Sequence, residues 1–159
     1  MIRVLFVCLG NICRSPTAHG VLLSKIAQRG LASAVEVDSA GTAAWHAGKA
    51  PDSRSQQAAA GRGYDLSALR ARQVSADDFA CFDYVLAMDE ENLRNLKQVY
   101  PGKGTEPELF LQTFSRRFHE REVPDPYYGG DSGFQHVLDL VEDACDALLD
   151  DIEQRLASL

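Results

Sequence analysis

Apolar runs that alternate with helical patterns predict an α/β fold built on a parallel sheet. Three observations carry that expectation. Val4-Leu5-Phe6-Val7 is a continuous apolar run, the pattern of a strand buried on both faces. Apolar residues at helical spacing follow it across residues 17–28. The same order, strand then helix, returns at residues 83–88 and 90–99.

Taken in order, residues 2–7 read as the first strand. The helix behind it starts at Ser15 and Pro16: serine is a good N-cap, and proline in the first turn needs no backbone partner. Gly30 suits its C-terminal end. Residues 34–38 read as a second strand and 39–51 as a loop rich in Gly and Ala. A short helix over 52–60 is stopped by Gly61-Arg62-Gly63, and Ser75 is placed to cap a further short turn. Residues 108–111 give a weakly signalled fourth strand, 113–124 a polar and basic stretch. Residues 132–156 form a last helix with Phe134, Val137, Leu138, Val141, Cys145, Leu148 and Ile152 on one face.

The 159 residues suffice for a single domain, residues 1–159, with a proper core, and neither a repeat nor a linker interrupts them. Hydrophobic residues at 45% and charged ones at 25% are ordinary for a soluble globule. A net charge of −7 argues against nucleic acid and against an acidic membrane surface as partners. No stretch approaches the roughly 20 apolar residues of a membrane span, and the first residues do not read as a signal peptide. Four cysteines in such a chain are expected as free thiols or redox groups, and the expected location is the cytoplasm.

The chemistry concentrates in Val7-Cys8-Leu9-Gly10-Asn11-Ile12-Cys13-Arg14-Ser15-Pro16. Here the first strand feeds a tight loop that opens a helix, so free N–H groups and the positive end of the helix dipole meet at one spot. Five residues separate Cys8 from Arg14, enough to curl around a tetrahedral phosphoryl group with amides turned inward. Arg14 adds a planar, permanently charged fork matching two phosphate oxygens. At the floor, Cys8 lies where a positive field favours thiolate, and Ser15 can donate its hydroxyl to the sulfur. Gly10 permits close backbone approach and Asn11 tolerates a left-handed turn.

Residues 4–16, V-L-F-V-C-L-G-N-I-C-R-S-P, resemble the phosphate loop of the low molecular weight protein tyrosine phosphatases. Three further segments occur in that family's order: Val37-Asp38-Ser39-Ala40, Phe82-Asp83-Tyr84-Val85-Leu86-Ala87-Met88-Asp89 and Asp125-Pro126-Tyr127-Tyr128-Gly129. The resemblance spans nearly the whole chain. It implies a flavodoxin-like three-layer fold, a four-stranded parallel sheet flanked by helices, and hydrolysis of phosphotyrosine without a cofactor through a phosphocysteine.

Asp125, held between Pro124 and Pro126, is the expected general acid, later the base toward water. Trp45, Tyr127 and Tyr128 are expected to wall a slot for the phosphotyrosine ring, too deep for phosphoserine. Cys13 is expected to trap oxidised Cys8 as a disulfide, as members of the similar family do. Ile12 favours an aryl ring, since related arginine phosphatases carry threonine there. Ser39 matches a serine that braces the loop, with Asn11 at the hub. One departure is Leu69, near which many relatives carry a histidine that joins this network. Cys81 and Cys145 read as structural, and Arg116-Arg117-Phe118-His119 as a solvated face. His19 and His136 fall on helices, and no metal-ligand spacing appears.

The partners implied are phosphotyrosine proteins and a cognate tyrosine kinase, with inorganic phosphate as product and a monomer or weak dimer as the assembly. An arsenate reductase of similar fold would need a further cysteine pair, but residues 79–89 offer only Cys81. A silent phosphate-binding module would have no use for Asp125.

Overall fold

The computed structural model describes residues 1–159. Its elements are β1 (Ile2–Cys8), α1 (Arg14–Gln28), β2 (Val35–Gly41), α2 (Ser53–Ala60), α3 (Asp78–Cys81), β3 (Tyr84–Ala87), α4 (Glu90–Val99), β4 (Glu108–Leu109), α5 (Phe110–Phe114) and α6 (Asp131–Ala157). The four strands form one parallel sheet in the order β2-β1-β3-β4, the expected α/β architecture.

Both faces of the sheet are covered, which explains the unbroken apolar run in β1. Alternate side chains of a strand point to opposite faces. Ile2, Val4, Phe6 and Cys8 accordingly enter a 26-residue core shared with α1, α5 and α6, while Leu5 and Val7 enter a 9-residue core with Phe79 and Leu96. Phe6 meets Phe110 edge to face at 5.0 Å, and truncating so buried a ring to alanine costs about 3–5 kcal/mol.

The chain leaves β1 toward β2 on one side and later adds β3 on the other. The carboxyl end of β1 is therefore the topological switch point, where open α/β sheets bind ligands. Gly41 ends β2 beside that point, where a Cβ would come within 2.8 Å of the Leu9 carbonyl oxygen.

Several boundaries differ from the expectation. β2 runs on to Gly41 because its pairing with β1 continues through Cys8. β3 is shorter than expected, β4 ends after two residues, and the chain turns into α5. Phe110, Leu111 and Phe114 form a single buried helical face in α5, too brief for periodicity to separate from a strand. α1 begins at Arg14 with Cys13 at the N-cap position and no side-chain cap. Ser15 does not cap it, because its hydroxyl faces Cys8 and Asn11. Ser75 does not cap α3 with its side chain; its amide donates to Asp78 Oδ2 at 2.8 Å. At the other end of α1, Gly30 takes φ 70°. Its amide reaches Ala27 O while Leu31 N reaches Ile26 O, a Schellman closure. Asp52 caps α2, accepting from Arg54 N, and Asp89 caps α4, accepting from Asn92 N. No helix is long and apolar enough to cross a membrane.

Candidate active site

β1 delivers Cys8 to the carboxyl edge of the sheet, and residues 9–13 arch over it before α1 begins. Four carbonyls of the turn are bonded to the surrounding chain. Cys8 O accepts from Thr42 N, Leu9 O from Ala43 N, Ile12 O from Asp52 N and Cys13 O from Thr17 N. The amides do the opposite. Those of Leu9, Gly10, Ile12 and Cys13 donate to no protein acceptor, and Asn11 N turns to Cys8 Sγ at 3.3 Å. Buried backbone donors are nearly always paired. Successive unpaired amides in a turn around a sulfur are suited to holding an anion. Asn11 makes the arch possible, with φ 57°, the only non-glycine residue at positive φ.

Ser15 Oγ lies 3.0 Å from Cys8 Sγ and accepts from Asn11 Nδ2 at 2.8 Å. Its one hydroxyl proton has two acceptors in reach, the sulfur and Ala40 O at 3.5 Å. Arg14, 3% exposed, donates through Nη1 to Asp89 Oδ2 at 2.6 Å and to Val123 O at 3.1 Å, and its Nη2 lies 3.7 Å from Asp125 Oδ2. Burial acts to lower the Arg14 pKa, but Cys8, Asp89 and Asp125 outweigh it and the pKa rises. The guanidinium stays charged.

Asp125 is carried on a loop fixed at Val123, whose amide donates to Met88 O at 2.8 Å at the end of β3. The carboxylate is 40% exposed and accepts from Tyr127 N at 3.0 Å. Burial, with charge from Asp52, Cys8 and Asp125, pushes the Cys13 thiol up to about 12 against a lowering contact from Ser55. Two free thiols thus share one arch, but Cys13 is a protonated one.

A cavity of about 290 Å³ opens above the arch, lined by Cys8, Leu9, Gly10, Ile12, Cys13, Arg14, Trp45, His46, Asp125, Tyr127 and Tyr128. Asn11, Ser15 and Ser39 sit behind this lining as support. The aromatic rim is open: Trp45 is 71% and Tyr128 93% exposed. Arg54, paired with Asp52 through both carboxylate oxygens, stacks between Tyr127 at 5.3 Å and Phe134 at 4.8 Å.

The Ser39 hydroxyl does not reach Asn11. It pairs with His19 Nδ1 at 3.0 Å, and Asn11 Oδ1 accepts instead from Arg72 N at 3.1 Å. Burial holds His19 below the ordinary histidine range despite nearby Asp38, so the ring is neutral at pH 7. Three contributors to the site escaped sequence reading. Asp89 doubles as helix cap and Arg14 partner, and a sequence shows only the cap. Arg72 acts through its backbone. His19 offered one signal, its position one helical turn after Ser15. Cys145 is buried, whereas Cys81, at the end of α3, is exposed. Arg116 pairs with Asp150 at 2.7 Å, as a solvated face would.

The model of the low molecular weight phosphotyrosine protein phosphatase family matches residues 3–158. A putative low molecular weight protein-tyrosine-phosphatase of Synechocystis is 46% identical over 157 residues, covering 98% of this chain and 99% of its own. The crystal structure of a protein tyrosine phosphatase from Entamoeba histolytica superposes with a TM-score of 0.92 at 40% identity, covering 97% of this chain and 98% of that one. A Drosophila arginine phosphatase superposes with a TM-score of 0.86 at 32% identity, covering 96% and 98%. With a Cys8–Arg14 arch at the switch point and likeness running nearly end to end, the chain belongs to the low molecular weight phosphotyrosine protein phosphatase family.

Proposed function

We propose that this protein hydrolyses phosphotyrosine in proteins, by two displacements at phosphorus, with residues 1–159 acting as one catalytic domain. The carrying observation is the arch of unpaired amides, with Cys8 Sγ at its floor and the Arg14 fork at its edge. The Cys8 thiolate attacks phosphorus. A sulfur–phosphorus bond forms as the bond to the phenolic oxygen breaks, and the Asp125 carboxyl gives its proton to that oxygen. The amides and Arg14 hold the three equatorial oxygens throughout. Asp125, now a carboxylate, takes a proton from water as the water oxygen bonds phosphorus and the sulfur leaves. Ser15 donates to the departing thiolate. Tyrosine and inorganic phosphate are released, with Cys8 and Asp125 restored.

Ile12 and the three ring side chains of the rim favour an aryl ester over a guanidinium phosphate. Cys13 fits a protective role. Peroxide converts Cys8 to a sulfenic acid, which condenses with the Cys13 thiol to a disulfide and releases water. Substrates supplied by a tyrosine kinase, in the cytoplasm, are the setting this reading implies. The test offers the enzyme p-nitrophenyl phosphate, a phosphotyrosine peptide and a phosphoarginine peptide, then quenches within milliseconds for mass spectrometry. The expected result is turnover of both aryl substrates and a phosphate adduct on Cys8. Turnover of phosphoarginine alone, or no adduct on residue 8, overturns it.

A further inference from the structure

Asn11, the residue that turns the arch, is held from behind by the segment around Arg72. The Arg72 backbone spans the gap from Asn11 to the end of β2. Its N–H donates to Asn11 Oδ1 at 3.1 Å, the carbonyl of that peptide, Ala71 O, accepts from Gly48 N at 2.8 Å, and Arg72 O accepts from Gly41 N at 2.8 Å. The Arg72 side chain adds a further restraint. Nε donates to Asp38 Oδ2 at 3.0 Å, and Nη1 and Nη2 donate to the two oxygens of Asp78 at 3.0 and 3.1 Å. The second Asp38 oxygen accepts from Ser39 N at 2.8 Å, and the Ser39 hydroxyl meets His19 Nδ1 at 3.0 Å. His19 stands one turn after Ser15 on α1, and Ser15 Oγ accepts from Asn11 Nδ2 at 2.8 Å. The bonds close a ring: Asn11, Arg72, Asp38, Ser39, His19, α1, Ser15 and back to Asn11.

We propose that Arg72 is a positioning residue for catalysis, its guanidinium clamped by Asp38 and Asp78 so that its own amide holds Asn11, with His19 closing the ring through Ser39. The geometry gives the reason such a clamp is needed. A non-glycine residue at positive φ persists only where its surroundings over-determine it, and Asn11 bears the turn that aims the amides inward. Its side-chain oxygen has one donor, and that donor is a backbone group on the segment bridged to the end of β2 at Gly41. Backbone bonds already tie this segment to Gly41, Gly48 and Lys49; the clamp adds the side-chain restraint that sets how closely the Arg72 amide meets Asn11 Oδ1, and its loss blurs the common focus of the loop amides. The clamp also uses arginine's particular chemistry: a planar fork reaches two carboxylates from one side chain, which a lysine ammonium does not reproduce.

The inference rests on reading the arch as the phosphate cradle. Its test therefore measures anion binding directly. Cys8 is alkylated with iodoacetamide across a series of inorganic phosphate concentrations in wild type, Arg72→Met, Arg72→Lys and Asp38→Asn. Melting temperature and kcat and KM for p-nitrophenyl phosphate are recorded alongside. The phosphate needed for half-protection is expected to rise roughly tenfold or more in Arg72→Met, with partial rescue in Arg72→Lys. The Arg72–Asp38 pair is half-exposed and adds little to stability, so Asp38→Asn should melt close to wild type; Arg72→Met also strips buried Asp78 of its bidentate partner and should melt lower. Asp38→Asn, nearly isosteric, should shift protection in the same direction by about threefold and answers the question if Arg72→Met does not fold. Wild-type protection and kcat in both Arg72→Met and Asp38→Asn overturn the assignment. So does a loss of protection that merely tracks falling melting temperature across the variants. Failure of phosphate to protect wild-type Cys8 removes the cradle itself, and this proposal with it.

Discussion

The floor of the site and its rim are built on opposite principles. At the floor, Cys8, Asn11, Arg14 and Ser15 are all at most 3% exposed and are tied to one another or to strand ends. At the rim, Trp45 and Tyr128 lie mostly in solvent, and the contacts among the rings are van der Waals, such as the edge-to-face pair of Tyr127 and Tyr128 at 4.9 Å. The difference is one of task. Stabilising charge that develops on phosphoryl oxygens requires donors fixed in advance, because reorganisation during the reaction would consume the gain. Accepting an aromatic ring from many proteins requires broad, adaptable faces.

Variants of the two regions should therefore differ in scale and kind. Cys8→Ser removes the proposed nucleophile and should lower turnover of p-nitrophenyl phosphate by roughly 10⁴-fold or more; steady-state assay of the purified variant checks it, and activity within a hundredfold of wild type would break the division. Asp125→Asn, at the junction of floor and rim, should slow turnover by ~10²–10⁴ with phosphate binding nearly intact, since the proton and not the charge fork is lost. Phosphate inhibition and kcat, measured together, separate those effects. Trp45→Ala and Tyr128→Ala should raise KM for a phosphotyrosine peptide by about 2–10-fold with a smaller change in kcat. A drop in kcat larger than the rise in KM would place these rings in the chemistry.

The smallest expected effect sharpens the floor's side of the comparison. Burial depresses the His19 pKa in the folded protein below 6.5. Below that pH the unfolded chain binds more protons than the native one, so stability present above pH 6.5 is lost as pH falls through the folded pKa. In His19→Gln the fall in melting temperature between pH 7 and pH 5 should be shallower than in wild type. Parallel curves would show that this histidine is not held neutral behind the loop.

The same division explains what a reader of the sequence can see. The floor's reactive groups lie within eight consecutive residues, between an apolar run and a helical pattern, so local order alone brings Cys8, Arg14 and Ser15 together. The strands were legible because a sheet covered on both faces writes unbroken apolar runs, as in Val4 to Val7. β4 was misjudged because two residues of strand followed by a five-residue helix leave no period to count. The bracing was hidden for a different reason. Arg72 supplies Asn11 with a backbone amide, which every non-proline residue possesses, and Ser39 turns to His19 through a contact only the packing of α1 on β2 creates. Asp89 stands 75 positions from Arg14, a separation that no local pattern bridges.

Val123 carries an evolutionary consequence. Its amide is pinned to Met88 O and its carbonyl to Arg14 Nη1, so Asp125, the proposed proton donor two residues later, is positioned from the sheet and not from the long surface segment before it. Exposed side chains in that segment, such as His119 and Glu120, can then change without touching either anchor of residue 125.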